Sequence, residues 1–377
     1  MSAADALAIG IVLPTLPFFA LDLGVGPAAI GALFAASAIT QLLVAPIWGA
    51  FADRIDSRRL LMAAPLIAAV GHVTLALSHT YPMMLAARVV TGIGAAVPVL
   101  LQTRIVGDTA GAARTVMVGR VTAVQGVGTI AGPALGALAA PYGMGPVGVI
   151  AAAAALLVAA LATRLTVSDA VGGTGRGPVP AAVGTMLRNR PLRPLMIIAF
   201  LGWLCFTAYA TALPLFLHQE FRLSSTAYGL LIAVSGIVAL LVRGVLLGWL
   251  VRRFGEAALM VVGASLIAVS MASVPVLPTV WSTPLLPLTY ALGAGLLFPC
   301  QVTRISRSAP KDTVGLALGG NATVAGLATV LGPLVAGALF STRPGAVFVL
   351  GASVLALVAI VALVTQLIPH RKAQAVL

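Results

Sequence analysis

The chain has 377 residues, of which 60% are hydrophobic and only 8% are charged. A soluble surface needs roughly a quarter of its residues charged, so a water-soluble fold is excluded, and one compact core does not explain so much apolar sequence. The net charge of +13 comes from 22 Lys and Arg against nine Asp and Glu. The basic residues sit between apolar blocks and form no continuous basic face, which excludes nucleic acid as a partner.

Apolar runs broken by polar or Gly/Pro punctuation predict twelve spans, beginning near residues 2, 27, 59, 82, 116, 144, 194, 226, 256, 283, 313 and 344. Each needs about 20 residues to cross the hydrocarbon at 1.5 Å per residue, and the chain has room for all twelve. The first run has no basic region before it and no cleavage site after it, so it reads as a span and not as a removed signal.

With the N-terminus inside, 19 of the 22 basic residues fall in cytoplasmic connections, among them Arg54, Arg58, Arg59, Arg104, Arg164, Arg243, Arg252, Arg253, Arg304 and Arg307. Arg222 and Arg343 fall outside, and Arg88 lies within span four. This asymmetry predicts both termini in the cytoplasm and an even helix count. Cys205 and Cys300 both lie inside apolar blocks and read as inert thiols, with no disulfide framework and no metal site.

Residues 166–193 contain Gly172-Gly173-Thr174-Gly175-Arg176-Gly177-Pro178 and read as a cytoplasmic linker. No Lys-Ser/Thr follows these glycines and no strand precedes them, so they are not a phosphate loop. The flanking halves, 1–165 and 194–377, repeat each other at an offset of about 200. Leu13-Pro14 recurs as Leu213-Pro214, Thr103-Arg104-Ile105 as Thr303-Arg304-Ile305, and Gly132-Pro133 as Gly332-Pro333. The expected fold is an all-α membrane protein of twelve transmembrane helices in two six-helix pseudo-repeats, with a pathway between the bundles.

Three patterns stand out in the first half. Between spans two and three the chain reads Gly49-Ala50-Phe51-Ala52-Asp53-Arg54-Ile55-Asp56-Ser57-Arg58-Arg59. Span four carries Arg88, Gly92 and Ala95-Ala96. An arginine within a span costs on the order of 3 kcal/mol, so it is expected to face water or a partner. Span five carries Gly119, Gly128, Gly132-Pro133 and Gly136, small residues that permit close helix contact around a proline that bends the span. Residues 126–131 fit a dinucleotide fingerprint in part, but they sit mid-span with no preceding strand.

On these residues the chain resembles the major facilitator superfamily, and within it the proton-coupled drug exporters near the tetracycline antiporters, over essentially its whole length. Residues 49–59 match the family pattern G-x-L-A-D-R-x-G-R-R, with departures at Asp56 and Ser57. An aspartate at the turn can adopt a left-handed or capping conformation. The resemblance implies that Gly49, Asp53, Arg54, Arg58 and Arg59 form a cytoplasmic gate. Gly119, Gly128, Gly132, Pro133 and Gly136 match the exporter motif, with its last glycine replaced by Ala137.

Asp5, nine residues before Pro14, is similar to the acid of the tetracycline exporters, although the chain before it is shorter than in those relatives. His72 stands where relatives commonly carry a carboxylate. Asp5, His72 and Arg88 are the expected proton-coupling residues. Helix depth places Asp5 and Arg88 about 15 Å apart, which predicts no direct pair, and makes Gln41 the expected neighbour of Asp5 and His72 that of Arg88. Gln41, Gln125, Trp203, Phe206, Tyr209, Tyr290 and Asn321 are expected to line an apolar cavity with few polar anchors.

The expected function is proton-coupled antiport exporting small hydrophobic or amphipathic compounds, with an uptake carrier or a solute sensor as alternatives. No cofactor other than the proton gradient is expected, and the partners are substrate, protons and the bilayer around a monomer. Nine dispersed acidic residues offer no carboxylate pair for an enzyme. An Ala-, Gly- and Arg-rich chain with two lysines suggests a bacterial inner membrane.

Overall fold

The computed structural model describes residues 1–377 except 53, 99, 102–110, 166–188, 190, 277–278, 311–312 and 368–377. Every regular element among the described residues is helical. Nine segments among them are long and apolar enough to cross a membrane.

The first of these is broken into α1 (Ser2–Val12) and α2 (Leu16–Asp22). Pro14 at the break has no N–H to continue the ladder. The Thr15 amide shifts to the Val12 carbonyl at 3.2 Å, and the buried Thr15 hydroxyl donates to the Ile11 carbonyl at 3.1 Å that this shift leaves open, and to Val12 at 3.0 Å. Then follow α3 (Pro27–Ala52), α4 (Ser57–Ala76), α5 (Tyr81–Gly94), α6 (Gly111–Ala139) and α7 (Met144–Ala162). Asp56 caps α4, its carboxylate accepting from the Arg58 amide at 3.1 Å with φ −51° and ψ 127°. This departure from the family turn therefore serves as an N-cap.

Beyond the linker come α8 (Arg193–Phe221) and α9 (Ser225–Leu241), which passes through a single π turn, Val242–Leu246, into α10 (Leu247–Ser273). The axis is interrupted instead at Gly255, whose φ of 79° and ψ of 157° are open to glycine at little cost. Arg243 therefore lies within a helix that runs on to Gly255. A count of basic residues carries no depth information, and the apolar sequence on both sides of Arg243 keeps the helix going. The chain ends with α11 (Leu285–Ser308), α12 (Val314–Thr342) and α13 (Pro344–Leu367).

The helices group into two compact units. The first comprises Met1–Gly175, Ala210–Ile237 and Thr329–Pro344. Its α1 packs on α6 and α7, α4 on α5 and α7, and α3 on α5. Glycines bring these backbones together: a Cβ on Gly71 would lie 2.7 Å from the Thr91 amide, and one on Gly148 2.7 Å from the His72 carbonyl. The second unit comprises Arg176–Tyr209, Val238–Ala328 and Gly345–Leu367 together with the chain end. There α10 and α11 meet through Gly263 and Gly293, each facing the other's carbonyl.

Candidate functional site

The glycine motif of span five lies on α6, where it forms a seam against α1. A Cβ on Gly132 would lie 2.7 Å from the Gly10 Cα, and one on Gly10 3.1 Å from the Pro133 Cδ. Gly128 faces the Ala3 carbonyl and Gly136 the Ile11 carbonyl just as closely. Gly119 falls within α6, and its surroundings lie outside the described residues. Another face of α6 receives α9, with Gly229 against Ala137 and Pro133 and Gly236 against Ile130. The motif helix is thus held by near backbone contact on both sides, the arrangement that small residues permit.

Asp5 is half-buried on the same α1, one turn from the Gly128 contact. Among the described residues its carboxylate makes no hydrogen bond or ion pair. Gln41 does not reach it: its amide donates instead to the Ala95 carbonyl of the chain just after α5, at 2.9 Å. Gln125 is half-buried on α6.

Arg88 is buried in α5 and directed at α3, donating from Nη2 to Ser37 Oγ at 2.8 Å and from Nε to the Leu33 carbonyl at 3.4 Å. Close packing of Gly71 on Ala87 and Thr91 sets His72 at the level of Arg88. His72 is buried too, and among the described residues its Nδ1 has no hydrogen-bond partner. Of the gate residues, Asp53 lies outside the described residues. Arg54 and Arg59 are exposed, Arg58 is half-buried over the capped turn, and a Cβ on Gly49 would meet open space.

The second unit holds the aromatic candidates. Tyr209 and Tyr290 stack at 4.2 Å, and both are buried. Tyr209 also shares a 3.4 Å hydrogen bond with Ser270, whose hydroxyl is donated to the Leu286 carbonyl. These tyrosines join α8, α10 and α11. Trp203 and Phe206 remain half-buried, packed with Phe298 at 4.8 Å and 6.0 Å. Asn321 accepts from the Gln301 amide at 2.9 Å, while among the described residues the Gln301 carbonyl oxygen is buried without a partner. Sequence reasoning missed both Phe298 and Gln301. The signal for Gln301 was its polarity inside an apolar run.

The family model described as Major Facilitator Superfamily matches residues 1–319. The chain is 29% identical to the tetracycline resistance protein, class C, of Escherichia coli, over 93% of this chain and 91% of that protein. It is 26% identical to multidrug resistance protein 2 of Bacillus subtilis (strain 168), over 89% and 85%. Among solved structures it superposes on a point mutant of the nucleoside transporter NupG with a TM-score of 0.82 over 97% of each chain, at 15% identity, a likeness of fold alone. Helical architecture, the α6 seam and the family match over residues 1–319 lead to one conclusion: the chain belongs to the Major Facilitator Superfamily.

Proposed function

We propose that this protein is a proton-coupled antiporter that exports small hydrophobic or amphipathic compounds by alternating access. The observation that carries the reading is the α6 seam, where Gly128, Gly132 and Gly136 lie on the α1 backbone and Gly229 of α9 on the opposite side. It realises in contact geometry the motif of the drug exporters, and the relatives it is similar to are tetracycline and multidrug resistance proteins. Inward proton flow contributes about 2.3 kcal/mol per charge per 100 mV.

The same reading takes the fold as twelve spans, with Gly255 dividing spans eight and nine and with α5 and α6 as spans four and five. It keeps two six-helix bundles, 1–165 and 194–377, joined by a cytoplasmic linker, both termini inside a bacterial inner membrane. Helix ends carrying Arg222 and Arg343 then face outward. There Gly31 meets the Pro333 carbonyl, and a Cβ on Gly337 would lie 2.6 Å from the Pro27 carbonyl. Phe18 closes on His218 and Tyr228 at 5.6 and 5.8 Å. These contacts form an outer seal, while Gly49, Asp53, Arg54, Arg58 and Arg59 form the gate on the other side. Asp5 is the coupling acid, with His72 and Arg88 deeper in the same bundle.

Inverted vesicles containing the full chain test the proposal. On energisation they should accumulate a fluorescent amphipathic compound, and a protonophore should release it. Accumulation indifferent to the pH gradient would reject proton antiport.

A further inference from the structure

We infer that Arg243 is a binding residue for the anionic group of the transported compound, so that this carrier takes amphipathic organic anions such as carboxylates and phenolates. The inference rests on the transporter reading and narrows its substrate class.

Arg243 occupies the single π turn, Val242–Leu246, of an otherwise continuous helix. Such turns concentrate at functional sites because they re-aim side chains. The residue lies nine positions, or about 14 Å of helix, before Arg252, well inside the hydrocarbon and away from lipid headgroups.

Its direction follows from the helix face. Gly229, Gly236 and Arg243 recur every seven residues, and the first two face α6. Leu230, Val234, Ile237 and Leu241 are exposed apolar residues centred about 140° around the helix, which makes theirs the lipid face. On ideal helical geometry Arg243 projects to a different side of the helix from these four residues.

Arg243 is exposed, and among the described residues its guanidinium has no hydrogen bond or ion pair. The acid of this region, Glu256, is paired with Arg307 at 3.0 Å. Space is available beside it, since a Cβ on Gly244 would meet no atom within 4 Å. Val242 packs on Gly295 of α11, three residues before Phe298, whose ring with those of Trp203 and Phe206 provides an apolar surface. An unpaired cation held within a helix with five donors in a planar fork matches a carboxylate.

Thermal stabilisation of the purified full chain by 2-naphthoate and by its methyl ester tests the assignment. Wild type should bind the acid at least about tenfold more tightly than the ester. Arg243→Gln should erase that preference with ester binding unchanged, and Arg243→Lys should keep part of it. Equal affinities in the wild type, no binding of the acid, or an intact preference in Arg243→Gln overturns the proposal. Should Arg243→Gln not fold, phenylglyoxal modification of Arg243 in the wild type decides. Protection by naphthoate and not by the ester supports the site, and equal modification refutes it. Loss of export with the preference intact would sink the antiport reading alone, whereas export without the preference would sink this one.

Discussion

A carboxylate inside an apolar helix is visible in a sequence, and its partners are not. Asp5 could be found because few acids interrupt the apolar runs at all. That Gln41 serves the Ala95 carbonyl, and that Arg88 serves Ser37 and Leu33, depends on the rotation of α3 against α5. Hydropathy does not encode that rotation. Among the described residues Asp5 has no hydrogen-bonding partner, which suits a proton carrier, because a carboxylate locked in an ion pair would stay ionised in both transport states. Asp5→Asn should therefore retain downhill movement of substrate and lose uphill accumulation. For an uncharged compound, one proton per cycle at 100 mV sustains a gradient of about fifty-fold, and in the variant its ratio across the vesicle membrane should fall to about one. Accumulation at the wild-type level would move coupling to His72 or away from both.

At the scale of helices, the seam of α6 was legible and the π turn of α9 was not. Glycines at the spacing of Gly128, Gly132 and Gly136 place one strip of backbone toward a neighbour, and the periodicity shows this without knowledge of the neighbour. The extra residue of the π turn leaves no such mark, since Val242–Leu246 is as apolar as its flanks apart from Arg243 and Gly244. The seam gives a graded expectation. A methyl on Gly132 meets backbone of Gly10 at 2.7 Å, which no rotamer can relieve, whereas one on Gly319 of α12 meets nothing within 4 Å. Gly132→Ala should lose about 1–3 kcal/mol by overpacking and most of its transport, and Gly319→Ala should match the wild type in both. Melting curves of the two purified variants, run beside vesicle uptake, check this; equal stability would mean that α1 yields freely at the seam.

For the whole molecule, composition and charge asymmetry were enough to read a helical membrane protein, because both follow from the bilayer as solvent. Contacts such as Gly31 with Pro333 join residues about 300 positions apart and belong to one transport state, so no local pattern announces them. They do make the state testable. On the proposed orientation these contacts lie at the outer ends, where His218 meets Phe18 through its ring and shares a 3.1 Å hydrogen bond between its Nδ1 and the Leu223 carbonyl. A cysteine at that position should react slowly with a membrane-impermeant maleimide added outside. Adding Gly31→Leu drives a side chain into the Pro333 carbonyl, shifts the population toward the state open outside, and should raise the labelling rate at least about tenfold, the equivalent of 1.4 kcal/mol. Faster labelling confined to reagent added from the cytoplasmic side would reverse the assigned orientation, and an unchanged rate in the double variant would show that Gly31 and Pro333 do not form the outer seal.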